Sequence, residues 1–369
     1  MPRETRFARS FLLNATTIAA SVIAAVVLAE CGLRLLGLAP HEGVVTVAER
    51  EFTTVLGLLA PNQDLTDRRK PKLPHHVHIN SLGYRGREIR IQKAPNETRI
   101  LMAGDSLTFG DFVDDEDTLP AQLERQLSSC CHGVRVINAG VDDTTIDDQI
   151  QVIERALLLK PDIVVLVFTE NALENLARGV STWDELAANR QAKSRLPLSL
   201  LDPVLKHLAV WHLALEARAT LQTKMDLKAE ARLSSAGALD TDGLRAVRLS
   251  QVPRYKMFLV NLRDRLTAVG VPLLLVLYPS HLSLRDGGST EQVDWLTHIG
   301  SEARVPTTNL LGPLTESGLP IERLYLLPDD GHPSASGHAI AARAVASTVR
   351  TWLSSRPAQL DPVAALRSK

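Results

Sequence analysis

Arg99-Ile-Leu-Met-Ala-Gly-Asp-Ser-Leu-Thr-Phe-Gly110 is the stretch from which the fold can be read. Ile100 to Ala103 is a short apolar run that reads as a buried strand, and it stops abruptly at Gly104-Asp105-Ser106. Glycine permits the sharp turn at a strand end, and aspartate and serine favour the turn or helix cap that follows. Open α/β sheets bind ligands at the carboxyl ends of their strands, so Ser106 is expected at an exposed edge. There it can be a nucleophile, provided a histidine elsewhere takes its proton. Taken alone, the tripeptide is ordinary turn chemistry, with Asp105 bracing the turn through its side chain.

Downstream the pattern alternates. A helix over Leu119–Leu127 is followed by a strand, Val134–Gly140, and a second helix, Thr145–Leu159. Pro161-Asp162 then launches Ile163–Phe168, a wholly apolar, β-branched run of the kind found in parallel strands covered on both faces. Strand and helix alternating at these lengths indicate a parallel sheet with crossover helices. From about Ala177 to Ser250 the rhythm breaks into an Ala-, Leu-, Lys- and Arg-rich stretch, read as a helical insertion that is either a cap or an outer packing layer. The alternation resumes with a helix from about Val252 to Val269, a strand Gly270–Tyr278 and a helix near Glu291–Ala303. A last helix runs from Ser336 or Gly337 to about Leu353. Upstream, the turn cluster Asn80-Ser-Leu-Gly-Tyr-Arg-Gly86 leads into Glu88–Ile91, read as a short strand.

The chain has 369 residues, 45% hydrophobic and 22% charged, with a formal net charge of −1. That is enough for a substantial core, and the near-neutral balance supplies no general attraction to nucleic acid. Three cysteines exclude a disulfide scaffold; Cys130 and Cys131 are read as packing residues at a helix end, or at most a vicinal bridge. Arg3, Arg6 and Arg9 precede an uncharged apolar stretch from about Phe11 to Ala29, close to the roughly 20 residues that cross a bilayer. The basic flank predicts a cytoplasmic N-terminus and an exported bulk, with the helix kept as an anchor. A cleaved signal peptide would normally have a shorter apolar core, and in the lipoprotein-like Leu28-Ala29-Glu30-Cys31 a glutamate replaces the expected small residue. His75-His-Val-His78 is the best metal candidate by composition, but no carboxylate or cysteine stands close in sequence, so no metal is expected. Asp114-Asp-Glu-Asp117 is read as a solvated helix start.

Three strand ends thus carry Ser106, Gly140 and Asn171, and the loop before the last helix adds Asp329 and His332 at a D-x-x-H spacing. This combination resembles the SGNH hydrolases (GDSL esterases and lipases). Gly104-Asp-Ser-Leu-Thr-Phe-Gly110 corresponds to their nucleophile block, Asn138-Ala-Gly-Val141 to the glycine block and Asp329-Asp-Gly-His332 to the acid–base block. In the third block, Phe168-Thr-Glu-Asn-Ala172, Thr169 and Ala172 stand where the family usually has glycine and aspartate. The resemblance implies a flavodoxin-like three-layer α/β/α fold over residues 98–355, interrupted at about 177–250. Residues 1–38 are then the cytoplasmic tip and transmembrane signal anchor, 39–97 a linker and extension, and 356–369 a tail. It implies Ser106 as nucleophile, His332 as base and Asp329, rather than its neighbour Asp330, as the orienting acid. The oxyanion hole would be formed by the amides of Ser106 and Gly140 and the side chain of Asn171. No metal or cofactor is implied. The expected activity is ester hydrolysis on an acylated envelope or extracellular glycan, outside the cytoplasm. O-acyl transfer with the same serine, a lipase activity and an inactive envelope scaffold are the alternatives. Beyond the substrate, the expected partner is the lipid bilayer through the N-terminal helix, and no nucleic acid.

Overall fold

A seven-residue strand that ends on Gly104 lies inside the sheet, and every other part of the site is placed relative to it. The computed structural model describes residues 3–36, 56–67, 70, 72–131, 133–142, 144–169, 172–178, 241–285 and 290–355, with a few positions between 208 and 221. The chain divides into two compact units, one of Met1–Gly43, Arg68–Pro71 and Ala188–Leu239, the other of Val44–Asp67, Lys72–Ala187 and Asp240–Lys369.

In the first unit, helix α1 spans Arg3–Leu35. Its segment Thr16–Leu35 is long and apolar enough to cross a membrane by length and composition. Ile18, Val22, Ile23, Val27 and Leu28 are exposed along it, so this apolar surface is not spent on a protein core. Most of the expected helical insertion, including Leu200, Leu205 and Leu215, lies outside the described residues.

The second unit begins with a hairpin, β1 (Gln63–Asp67) paired antiparallel with β2 (His75–Ile79). The chain then alternates through β3 (Thr98–Gly104), α2 (Ser106–Phe109), α3 (Leu119–Ser128), β4 (Val134–Gly140), α4 (Ile146–Ala156), β5 (Ile163–Phe168) and α5 (Ala172–Arg178). After the insertion come α6 (Thr241–Ala268), β6 (Leu273–Leu277), α7 (His281–Leu284), α8 (Glu291–Glu302), β7 (Thr307–Asn309), α9 (Leu311–Thr315), α10 (Ile321–Leu324) and α11 (Ala335–Ser355). The five strands β3 to β7 form one parallel sheet in the order β4-β3-β5-β6-β7. Numbered within the sheet this is 2-1-3-4-5, the flavodoxin-like order, whose ligand crevice lies at the carboxyl ends where the winding direction reverses. That switch point falls at β3 and β5, the strands that end just before Ser106 and Asn171.

Both faces of the sheet are covered. Ile100, Met102, Val165 and Val276 face a cluster with Leu119, Leu123 and Leu127 of α3 and Ala342, Val345 and Val349 of α11. Leu101, Ala103, Leu166 and Leu275 face Val152 and Ile153 of α4, Leu259 and Leu262 of α6 and Ile299 of α8. Successive strand residues point to opposite faces, so burial on both explains the unbroken apolar runs.

Three local expectations differ from the structure. Glu88–Ile91 forms no strand; the Arg99 guanidinium, itself buried, takes the carbonyls of Arg90 (2.8 Å) and Ile91 (3.1 Å) that a strand would have paired. The helix expected from Val252 begins at Thr241 and runs through Pro253. Its first turns leave Ala246, Leu249 and Ser250 exposed, so core-facing periodicity starts only at Tyr255. Finally, the region expected to be a linker and extension contains the β1–β2 hairpin, where His75, Val77 and Ile79 point inward while His76 is exposed.

Candidate active site

The turn after β3 is held by its own backbone. Asp105 caps α2, its carboxylate accepting the amide of Leu107 at 3.1 Å, while its carbonyl accepts those of Thr108 and Phe109. The Ser106 carbonyl accepts the amides of Gly110 (2.8 Å) and Asp111 (3.1 Å). No described group takes the Ser106 amide itself, which leaves that N–H available. Glycine is required at 104 by close approach: a Cβ there would lie 2.2 Å from Thr108 Oγ1 and 3.0 Å from the Val167 carbonyl.

The second turn lies before α11. The Leu326 carbonyl accepts the amides of Asp329 and Asp330, the Leu326 amide donates to the His332 carbonyl, and Tyr325 bridges to Pro333. Tyr325 ties the turn to the sheet end by donating its hydroxyl to the Pro279 carbonyl at 2.6 Å. His332 is thereby brought to β3, with Nε2 2.9 Å from Ser106 Oγ although the two residues are 226 positions apart.

The carboxylate on the far side of that imidazole is not the expected one. Asp330 Oδ1 stands 2.5 Å from His332 Nδ1 and also accepts the His332 amide at 2.7 Å. Asp329 instead receives the Lys72 ammonium at 2.5 Å. The ring nitrogen thus meets the aspartate two positions before the histidine, and the D-x-x-H aspartate faces Lys72. In this turn the backbone amide of His332 and its ring converge on one side chain, and that side chain is Asp330.

Burial alone would push the His332 imidazole down, but the Asp330 hydrogen bond and the charges of Asp330, Asp111 and Asp142 outweigh it and hold its pKa above the ordinary value. Burial pushes the Asp105 carboxyl up to about 6, against the Leu107 amide and the His332 charge. His338, by contrast, is buried within α11 beside Tyr278, and burial lowers it to about 3, so it stays neutral. It packs and takes no part in the hydrogen-bonded line.

Asn171 lies outside the described residues. Thr169, the departure from glycine in that block, is buried with its hydroxyl 3.5 Å from Asp105 Oδ2, so its polar atom faces the nucleophile turn. Gly140 is in place at the end of β4, paired in register with Gly104, but its amide donates to Asn138 Oδ1 at 3.0 Å. The absence of a side chain there serves packing: a Cβ would lie 2.1 Å from the Phe109 nitrogen. The space left by the missing side chain at 140 is taken by α2.

Several groups at the site carried no local signal. Phe112, a non-glycine residue at φ 65°, sets its ring 5.4 Å from that of His332 and 5.7 Å from that of His75, edge-on to both. Behind Phe112 opens a cavity of about 330 Å³ whose lining includes His75, Asp114, Asp117, Glu322 and Arg323. The acidic run read as a solvated helix start is partly consumed by the hairpin. Asp114 accepts the His76 amide at 2.7 Å, and Asp115 accepts the His78 amide at 2.9 Å and the Arg85 Nε at 2.6 Å. His76, judged isolated from carboxylates in sequence, stands 2.6 Å from Asp64 and 3.5 Å from Asp115 in space. No group of three or more metal-ligating side chains occurs among the described residues.

No family model and no curated protein matches the sequence. Among solved structures, the chain is similar to the lipase/acylhydrolase from Enterococcus faecalis, at 16% identity and a TM-score of 0.40 over 69% of this chain and 96% of that one. It is also similar to Axe2, an acetylxylan esterase from Geobacillus stearothermophilus, at 16% identity and a TM-score of 0.39 over 70% and 96%. A third is the psychrotrophic esterase EstA from Pseudoalteromonas sp., at 13% identity and a TM-score of 0.38 over 70% and 100%. Likeness at this level is one of outline, and the functional reading rests on the site's own geometry.

Proposed function

We propose that this chain is a serine esterase of the SGNH type that acts outside the cytoplasm on an acylated glycan. The observation that carries the reading is the line Asp330–His332–Ser106, closed at 2.5 Å and 2.9 Å. Ser106 Oγ attacks the ester carbonyl carbon while His332 Nε2 takes its proton, and Asp330 holds the imidazole and stabilises its charged form. Collapse of the tetrahedral intermediate expels the alcohol, which receives that proton from His332 and leaves an acyl-serine. Water then attacks the acyl carbon, giving its proton to His332, and the carboxylic acid departs as Ser106 regains a proton. The oxyanion is assigned to the Ser106 amide and, by resemblance, to the Asn171 side chain. Gly140 would contribute its amide only by releasing Asn138.

The glycan reading draws on the cavity behind Phe112, which neither Ser106 nor His332 lines but whose carboxylates and Arg323 offer hydrogen-bonding partners to the hydroxyl-rich part of a substrate. The same cavity suits a second reading, O-acyl transfer, in which a sugar acceptor anchored there extends a hydroxyl toward Ser106 in place of water in the second step. The exported location draws on the apolar segment Thr16–Leu35 and the basic residues before it.

A fluorophosphonate probe tests the serine. The wild-type chain should be labelled and S106A should not, with esterase activity falling by roughly 10⁵- to 10⁶-fold. Absence of wild-type labelling, or equal labelling of S106A, overturns the reading. Acetate released from an acetylated xylan, compared with acetyl transferred to an added oligosaccharide, separates hydrolysis from transfer. A reporter fused after residue 40 that is active only in the cytoplasm would remove the export claim.

A further inference from the structure

The motif Asn80-Ser-Leu-Gly-Tyr-Arg-Gly86 has no role in the chemistry above, yet it delivers a buried cation to the back of the nucleophile turn. Asn80 builds the loop: its Oδ1 accepts the amides of Leu82 (3.0 Å) and Tyr84 (3.1 Å), and its Nδ2 donates to the Arg87 carbonyl. The chain leaving that loop aims Arg85 inward, where it is 3% exposed and bridges to Asn138 of β4.

Each edge of the guanidinium is then committed. Nε donates to Asp115 Oδ1 at 2.6 Å, and Nη1 to the carbonyls of Phe109 (3.1 Å) and Gly110 (2.7 Å). Nη2 donates to the carbonyls of His76 (2.9 Å) and Val113 (2.7 Å). The Phe109 ring lies against it, 4.7 Å from the guanidinium carbon. The carbonyls of Phe109, Gly110 and Val113 belong to the stretch that begins at Ser106 and carries Phe112 onto the imidazole of His332, and that of His76 to β2. They converge on one point because a single planar cation gathers them, and no backbone amide in the loop could do the same.

We infer that Arg85, seated on Asp115, is a positioning residue for the hydrolysis, holding the 109–113 loop so that Ser106 and Phe112 meet His332. Residues 56–97 are on this view a working part of the catalytic unit and not a linker. The inference rests on the hydrolase reading. Misplacing reacting groups by about an ångström costs on the order of 10²-fold in rate. Lysine in place of Arg85 keeps the charge but cannot span the same acceptors.

The test uses the full-length chain in detergent with p-nitrophenyl acetate as substrate, and counts competent sites by fluorophosphonate titration. R85K should show kcat per titrated site lowered by roughly 10- to 100-fold with KM within twofold, and D115N should show a smaller loss of the same kind. A purely structural arginine would lower the number of titratable sites and leave kcat per site unchanged. That result, or wild-type kcat in both variants, overturns the inference. Should R85K fail to fold, F112A decides. Phe112 is only partly buried, so its loss should spare the fold, and a wild-type kcat in F112A would show that the loop Arg85 holds contributes nothing. An inert wild type overturns the hydrolase reading and this inference together; an active wild type with indifferent variants overturns this inference alone.

Discussion

The two turns that bring Ser106 and His332 together are built differently. The turn after β3 makes its capping bonds locally, Asp105 capping α2 and the carbonyls of Asp105 and Ser106 taking the following amides, while Arg85 gathers the next carbonyls from outside. The turn before α11 offers two adjacent aspartates of the same chemistry, and they meet opposite fates. Asp330 faces His332, while Asp329 faces Lys72, a residue 257 positions away. Where a turn's own backbone aims the functional group, its sequence suffices. Where two equivalent side chains compete, the tertiary partner decides.

The sharpest way to break that contrast is to exchange the rivals. D330N should lower kcat by roughly 10³- to 10⁴-fold, because asparagine cannot stabilise the imidazolium in the same way, as measured by steady-state ester hydrolysis. A fully active D330N would return the role to Asp329. Next in size is G140A, which tests how closely that turn packs on β4. Its Cβ would press on the backbone of Phe109 and Thr108, and thermal melts should show a loss of about 1–3 kcal/mol. The pH profile follows. His332 must be neutral to accept a proton, and its raised pKa places the acid limb of kcat/KM above about pH 6.5. Removing the Asp330 charge should move the limb to lower pH in whatever activity D330N retains. Smallest is D329N. Lys72 is largely exposed and Asp329 one-third exposed, so losing their ion pair should cost about 0–1 kcal/mol of stability and leave kcat unchanged.

The same division explains what could be read in advance. The alternation of Ile100–Ala103, Val134–Ala139 and Ile163–Phe168 with amphipathic helices announced a parallel sheet, and the unbroken apolar runs of the first and third announced burial on both faces. Ser106 and His332 announced themselves through turn chemistry and a matching motif. The β1–β2 hairpin did not, because His75-His-Val-His78 hides a strand alternation behind imidazoles. Arg85 was legible only as part of a turn cluster, since four of its five acceptors are backbone carbonyls, and carbonyls have no sequence identity. At Gly140 the glycine marks a close approach, but a sequence does not say that what approaches is the backbone of α2.

The 226 positions between Ser106 and His332 also have a consequence in time. At about 5–20 residues per second, the ribosome takes roughly 11–45 s to pass from one to the other. For that interval the nascent chain carries a serine with no base to activate it. Completion of α11, which closes one face of the sheet and follows directly on the histidine, is the event that arms the site. Premature termination anywhere before residue 332 therefore releases a fragment that cannot acylate itself. On the proposed mechanism, the order of elements along the chain acts as a safety catch during synthesis.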